Sequence, residues 1–489
     1  MGEKGMEISE RAQAVAAEKA AVLQGDRDRV AKQHADGKCT ARERAVKLFD
    51  AGSFVEIDAL RENSHAVAGC GTVSGQAVYC FAQDFTSAGG AMTKSQAAKA
   101  LKMLRMARMN GAPVVMLLDS AGVKLSEGMD ALPAYAEIFA AMARLSGVCP
   151  MITCVMGPCN GIAAMMTQLS DISIEVKKTG EIALHTAQVM NSEKGRVKTS
   201  QQLFGAEAMD AQGAVALTAE NEDEAAALIS ALIDLLPACN MADAPLTEGE
   251  DLNRLTVCDD PEDAVGLMKD LADDARIIEL YKGYGTGVHV ALARVGGRTV
   301  GLVANDHQAD AGRMCSQDCR KAARFVRLCD CYQIPVVSLV NTDGLTVPLF
   351  AHQGALLRGA AELIYAYAEA TAPKIAILTG DAVGAGYVAM GGKAIADVAY
   401  AWPTAMVSPL TAQAAVQTLC GEALNAGESR DALEKKYAAS CGAVEAAKAG
   451  VVDDVIDPSE TRKYIIAALE VLSSKHDVNL PKKHSNLPL

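Results

Sequence analysis

The sequence has no uninterrupted apolar run of about 18 residues; the best candidate, AAALISALIDLLPA, is broken by Asp234 and Pro237. It also lacks any excess of positive charge. Forty-six basic residues against 60 acidic ones give a net charge of −14, which argues against nucleic acid or an anionic membrane as the main partner. A phosphate-bearing ligand must then be met by a local basic cluster or by main-chain N–H groups. No apolar signal core occurs in the opening stretch MGEKGMEISERAQAVAAEKAAV, which reads as a charged helix, so the expected compartment is the cytoplasm. The 14 cysteines form no C-x₂-C repeat of zinc-ribbon spacing; the closest pairs are Cys315 with Cys319 and Cys329 with Cys331. Most of these thiols, such as Cys154 in MITCVM, lie in apolar runs and are expected to be small core residues rather than metal ligands. H-E-x-x-H, P-loop and complete Rossmann motifs are absent too.

What is present is a chain of 489 residues, half of them hydrophobic, that repeats itself. VYCFAQDFTSAGG from Val78 returns as VGLVANDHQADAG from Val300, and GAPVVMLLDSAG ending at Gly122 returns as QIPVVSLVNTDG ending at Gly344, both at an offset of 222 residues. CPMITCVMGPCNGIAAM returns as APKIAILTGDAVGAGYVAM at an offset of 223. Two homologous halves follow, 1–248 and 249–489, with the junction in the acidic, proline-containing stretch 241–263. Within each half, short β-branched runs (VVMLL, VVSLV) alternate with helical patterns such as KSQAAKALKMLRMARMN, whose Ala97, Leu101, Leu104 and Ala107 form an apolar stripe. The pattern is that of an α/β fold with crossover helices.

Ligands of α/β units gather beyond the carboxyl ends of strands, and both halves place glycine there twice: DSAG and GPCNGI in the first, NTDG and GDAVGAG in the second. The first N–H groups of a helix have no intrahelical partner and carry the positive end of its dipole. Asn160, Gly161 and Ile162 in the first half, and Gly384, Ala385 and Gly386 in the second, are therefore candidate donors to an oxygen that gains negative charge. The same glycines equally suit tight strand-to-helix turns. Side chains for acid–base or nucleophilic work are sparse: His185 stands alone in IALHTAQV, Cys159 has no nearby histidine, and Asp119 and Asp343 end strands where they can be turn formers.

With these motifs in order, the chain resembles the carboxyltransferase subunits of biotin-dependent acyl-CoA carboxylases and decarboxylases, from GKCTARERAVKLFDAGSFVEIDAL near the N-terminus, through MGPCNGIAA, KAARFVRLCDCYQIPVV and AYAWPTA, to KKHSNLPL. The resemblance implies two crotonase-like domains of stacked β-β-α units, the first taking a coenzyme A thioester such as propionyl-CoA or methylmalonyl-CoA, the second taking biotin. No metal is implied. It further implies an active site shared between the N-terminal half of one subunit and the C-terminal half of another, in a hexamer built from dimers. No biotinyl-lysine motif occurs in the chain, so the expected partners are a biotin carboxyl carrier protein and either a biotin carboxylase or a membrane decarboxylase subunit. In the implied scheme, carboxybiotin releases CO₂, its ureido oxyanion is held by Ala385 and Gly386, and the thioester enolate is held around Asn160 and Gly161. Gly89, Gly90, Gly122, Tyr387 and Val388 are the positions expected to line the substrates.

Departures from the family pattern cluster at the same places. Gly161-Ile162 stands where the family has Gly-Gly, Ala385-Gly386-Tyr387 where it has Gly-Ala-Tyr, Val388 where propionyl-preferring members often carry Asp, TDGLTVP where it has PGFLPG, and Arg358 where it has His. A catalytically inactive scaffold or assembly subunit of a biotin-dependent complex is therefore the alternative expectation. A biotin-independent hydratase or isomerase would need two acidic residues by the first-half turns, and only Glu127 is nearby.

Overall fold

A computed structural model of the chain describes residues 3–195, 197–347, 349, 352–484 and 486. The chain divides into two compact units, Met1–Ala242 and Asp243–Leu489. In the first, strands β1 (Val55–Glu56), β2 (Ala66–Val73), β3 (Gln76–Gln83), β4 (Val114–Ser120), β5 (Met151–Asn160), β6 (Ile172–Val176), β7 (Glu181–Ala183) and β8 (Leu217–Ala219) form one sheet of order β1-β2-β3-β4-β5-β6-β8, with β7 also paired to β5. In the second, β9 (Ile277–Leu280), β10 (Val288–Val295), β11 (Arg298–Asn305), β12 (Val336–Thr342), β13 (Lys374–Val383), β14 (Val398–Ala401), β15 (Met406–Ser408) and β16 (Asp454–Val455) give the order β16-β14-β13-β12-β11-β10-β9, with β15 paired to β13.

The repeat seen in the sequence is carried into register. Tyr79 pairs with Val114 in one unit as Gly301 pairs with Val336 in the other, and Ser120 pairs with Cys159 as Thr342 pairs with Ala382. Each unit opens its sheet with a hairpin whose two-residue turn has positive φ throughout, Ser74-Gly75 in β2–β3 and Gly296-Gly297 in β10–β11, the backbone that suits the right-handed twist of paired strands. From β3 or β11 onward the pairing is parallel, which requires helical crossovers.

The first crossover, Lys94–Asn110, begins where the Thr93 side chain accepts from the Gln96 N–H and ends at Gly111 in the left-handed conformation. It buries Ala97, Ala100, Met103, Leu104 and Ala107 against β2–β5, while Leu101, on the expected stripe, packs at its edge. The second unit repeats the arrangement with Ser316–Cys331, and Trp402, wholly buried, donates its indole N–H to Thr461. All 14 cysteines are free thiols, six of them buried and only Cys331 exposed. Among the described residues no helix is long and apolar enough to cross a membrane.

One buried strand residue contradicts its surroundings. Glu175, the fourth of the five residues of β6, is fully buried, and neither carboxyl oxygen has a hydrogen-bond partner among the described residues. Burial, with the Glu181 carboxylate nearby, pushes it up from its ordinary 4.5 to about 9. Between those values the unfolded chain releases a proton that the folded chain keeps, so stability is lost as pH rises through that window, at about 1.4 kcal/mol per pH unit. Glu175→Gln is expected to flatten this slope, gaining about 2–3 kcal/mol on wild type between pH 6 and pH 8 in urea melts.

Candidate active site

At the carboxyl end of β5 the chain must pass the buried carboxylate of Asp119 on β4, and it does so with Gly157, where a Cβ would stand 2.0 Å from an Asp119 oxygen. Beyond it β5 pairs with β7 through Pro158, Cys159 and Asn160. Successive N–H groups of a strand alternate between its two neighbours. Because Pro158 has none, Cys159 and Gly161 supply the donors on the β7 side, and the Gly161 N–H points at the Ala183 carbonyl; that of Asn160 faces β4. Gly161 then turns the backbone with φ +65° into the helical turn Gly161–Ala164. Ile162, half-buried, is the first residue whose N–H lies outside both ladders, at the start of a helical turn whose first N–H groups have no intrahelical partner. The open donor therefore belongs to Ile162, whereas Asn160 and Gly161 spend theirs on the sheet.

The turn after β4 closes on this one. Gly122, at φ +109°, donates to the Ser120 hydroxyl at 3.1 Å, its carbonyl accepts from Met92 at 2.8 Å, and a Cβ on it would lie 3.3 Å from the Asn160 carbonyl. Gly89 accepts from the Ala121 N–H, and Gly90 approaches so closely that a Cβ would stand 2.2 Å from the Asp119 carbonyl oxygen. These two glycines bind the β3–β4 corner together. The bridge of Met92 to Val123 uses the Gly122 carbonyl and the Lys124 N–H, so the Val123 N–H faces the other way. Val123 is a donor that the sequence alone does not single out; its only sequence signal is its place directly after DSAG.

The second unit builds the same corner. Gly344 (φ +117°) donates to Thr342, its carbonyl accepts from Met314, and Leu345 stands where Val123 does. Strand β13 pairs with β15 through Asp381, Ala382 and Val383, and the Asp381 N–H is taken by the Asn341 side chain at 3.0 Å. By the same alternation Gly384 (φ +52°) faces β15, and the exposed Ala385 carries the open N–H at the start of the helix Gly384–Ala389. Gly386 serves close packing instead, since it is buried and a Cβ there would meet the Gly344 Cα at 2.7 Å. Tyr387 packs its ring on Gly392 and accepts from the Lys393 N–H at 3.1 Å, while Val388 is exposed. Gly386→Ala should force the two turns apart. We expect a loss of about 10²-fold in kcat with binding of the first substrate retained, read by steady-state kinetics.

A match to the model of the carboxyl transferase domain extends over residues 32–487. The chain belongs to the carboxyl transferase family. It is 38% identical to methylmalonyl-CoA decarboxylase subunit alpha of Veillonella parvula over 95% of this chain and 96% of that protein. It is 35% identical to the methylmalonyl-CoA carboxyltransferase 12S subunit of Propionibacterium freudenreichii subsp. shermanii, over 95% and 94%. Among solved structures, transcarboxylase 12S with methylmalonyl-coenzyme A and methylmalonic acid bound superposes with a TM-score of 0.94 at 34% identity, covering 98% of each chain. The two sheets with their crossovers are the duplicated crotonase-like fold, and the protein is a carboxyltransferase.

In this carboxyl transferase the side chains that could compete for the chemistry are disarmed. Cys159 is wholly buried, and burial holds its thiol far above the ordinary cysteine range. His185 is exposed, and Glu127 accepts from the Lys94 N–H at the start of a helix. Asp119, which the sequence leaves open as a turn former, is the centre of an ionic cluster: it accepts from Arg44 at 2.8 Å, Lys38 at 3.2 Å and Gln33 at 3.2 Å, and Arg44 also holds Glu222 at 2.6 Å. The pattern of the carboxyl transferase site is thus main-chain donors on a frame fixed by buried side chains.

Proposed function

We propose that this chain moves a carboxyl group between biotin on a separate carrier protein and the α-carbon of a short-chain acyl-CoA, with propionyl-CoA and methylmalonyl-CoA as the preferred pair. The supporting observation is the duplicated turn: Ile162 with Val123 in one unit, and Ala385 with Leu345 in the other, each offer main-chain N–H groups that the sheet does not consume. Donors fixed in place before the reaction cost no reorganisation when charge develops on an oxygen. In the first unit they hold the thioester oxygen as the α-carbon loses its proton or its carboxyl group. In the second they hold the ureido oxygen of biotin, for which the exposed Ala385 and the left-handed Gly384 leave an open cradle. Biotin, when bound, supplies or takes up the carboxyl group and handles the α-proton. No side chain of the turns has to act as a base, in keeping with the buried Cys159 thiol and the occupied Glu127.

The choice of acyl group rests on the relatives' names, since the two named above act on methylmalonyl-CoA. Transcarboxylase 12S is a hexamer, and we extend that assembly, with the site completed between subunits, to this protein. The test is carboxyl exchange by the purified full chain across malonyl-, methylmalonyl- and glutaconyl-CoA. Biotin-dependent formation of propionyl-CoA from methylmalonyl-CoA is expected to be the fastest. No exchange with any of the three, with the biotin carrier present, would overturn the proposal and leave an assembly subunit.

A further inference from the structure

Three side chains of the second unit stand at the carboxyl ends of three adjacent strands: His307 just after β11, Asp343 just after β12, and Asp381 two residues before the end of β13. Each offers one ligand atom, an imidazole nitrogen or a carboxylate oxygen, and the three atoms lie within 4.8 Å of one another. All three residues are half-buried. The backbone holds them there: the Asp343 N–H donates to the Ala311 carbonyl at 3.1 Å, and the Asp381 N–H to the Asn341 side chain at 3.0 Å. Glu262 approaches His307 from outside at 3.6 Å, adding a third carboxylate.

Two facts separate this cluster from an ordinary acidic surface. The first is charge balance. Among the described residues neither Asp343 nor Asp381 forms an ion pair with a lysine or arginine; Arg313, whose charge Asp343 feels, pairs with Asp310. In the first unit, by contrast, the carboxylate at this corner, Asp119, is met by both Arg44 and Lys38. The second is the internal repeat. At the offsets of 222 and 223 residues, the positions of His307, Asp343 and Asp381 are occupied in the first unit by Phe85, Ala121 and Pro158, none of which can bind a metal. The fold does not require these ligands, yet the second unit carries all three together.

We propose that His307, Asp343 and Asp381 bind one divalent cation of the Mn²⁺ or Zn²⁺ class. One imidazole with two carboxylates suits a borderline first-row ion better than Ca²⁺, which takes oxygen ligands in greater number. The half-exposure of the cluster leaves the remaining coordination positions to water. Asp343 adjoins Gly344, against which Gly386 packs, so the cation sits at the rim of the turn that presents the Ala385 N–H. The site does not depend on the carboxyl-transfer reading, because it is tested with no CoA ester or biotin present.

The experiment is titration of the chelator-treated full chain with Mn²⁺ alone, followed by electron paramagnetic resonance of the unbound ion and by calorimetry. One saturable Mn²⁺ per chain is expected, weakened at least tenfold in Asp343→Asn and in Asp381→Asn, and lost in His307→Ala, with circular dichroism reporting that each variant is folded. If one asparagine variant does not fold, the other carries the test. Absence of saturable binding in the wild-type chain, or binding unchanged in the folded variants, would overturn the site and assign the ions to the general negative surface.

Discussion

Asp119→Ala is expected to destabilise the first unit by about 3–5 kcal/mol, the cost of leaving a buried charge without its partner. Asp119 is wholly buried at the end of β4, and its carboxylate answers Arg44, Lys38 and Gln33, three residues from the segment that precedes the sheet. Burial works against the Arg44 charge, yet the carboxylates of Asp119 and Glu222 outweigh it and hold the guanidinium above its ordinary value. Removing Asp119 leaves Arg44 with Glu222 and, among the described residues, leaves the Lys38 ammonium with only the face of the Phe85 ring at 4.2 Å. The equivalent change in the second unit, Asn341→Ala, deletes neutral hydrogen bonds to Pro261 and from Asp381, and should cost about 1–3 kcal/mol. Urea unfolding of the two variants measures the contrast. A loss below about 1 kcal/mol in Asp119→Ala would mean that water, not the cluster, solvates those cations.

The architecture was legible because its signals are local and occur twice. Glycines such as Gly90, Gly122 and Gly161, and runs such as VVMLL and VVSLV, recur at offsets of 222 or 223 residues, and the paired registers reproduce those offsets strand by strand. The site was legible only as a pair of turns. Which N–H in GPCNGI remains open depends on β7, about twenty residues further on, and on the missing donor of Pro158; reading the turn alone cannot separate Gly161 from Ile162. Gly90 and Gly386 look like ligand-facing glycines in sequence, but their bare Cα atoms serve close contact with the Asp119 carbonyl and with Gly344. Asp119 looked like a turn former because its cations, Arg44 and Lys38, lie 75 and 81 residues away. The departures at TDGLTVP and GDAVGAG, met separately in the sequence, place Asp343 and Asp381 side by side in space.

In the proposed mechanism two main-chain N–H groups, those of Ile162 and Ala385, hold the oxygens on which charge develops. Amide-to-ester replacement at either residue deletes the N–H while keeping the side chain, so packing at the turn is preserved. Loss of one such donor typically costs 10²–10³ in kcat. The same replacement at Gly161, whose N–H is directed at the Ala183 carbonyl, removes a sheet bond and should cost about 1 kcal/mol of stability with much less effect on turnover. The decisive measurement is kcat for methylmalonyl-CoA decarboxylation by the three ester variants, each with its melting temperature. Falls of about 10²–10³ are expected at residues 162 and 385 with melting little changed; full turnover in both variants, or a larger fall at Gly161 than at Ile162, would contradict the proposed roles of these two donors.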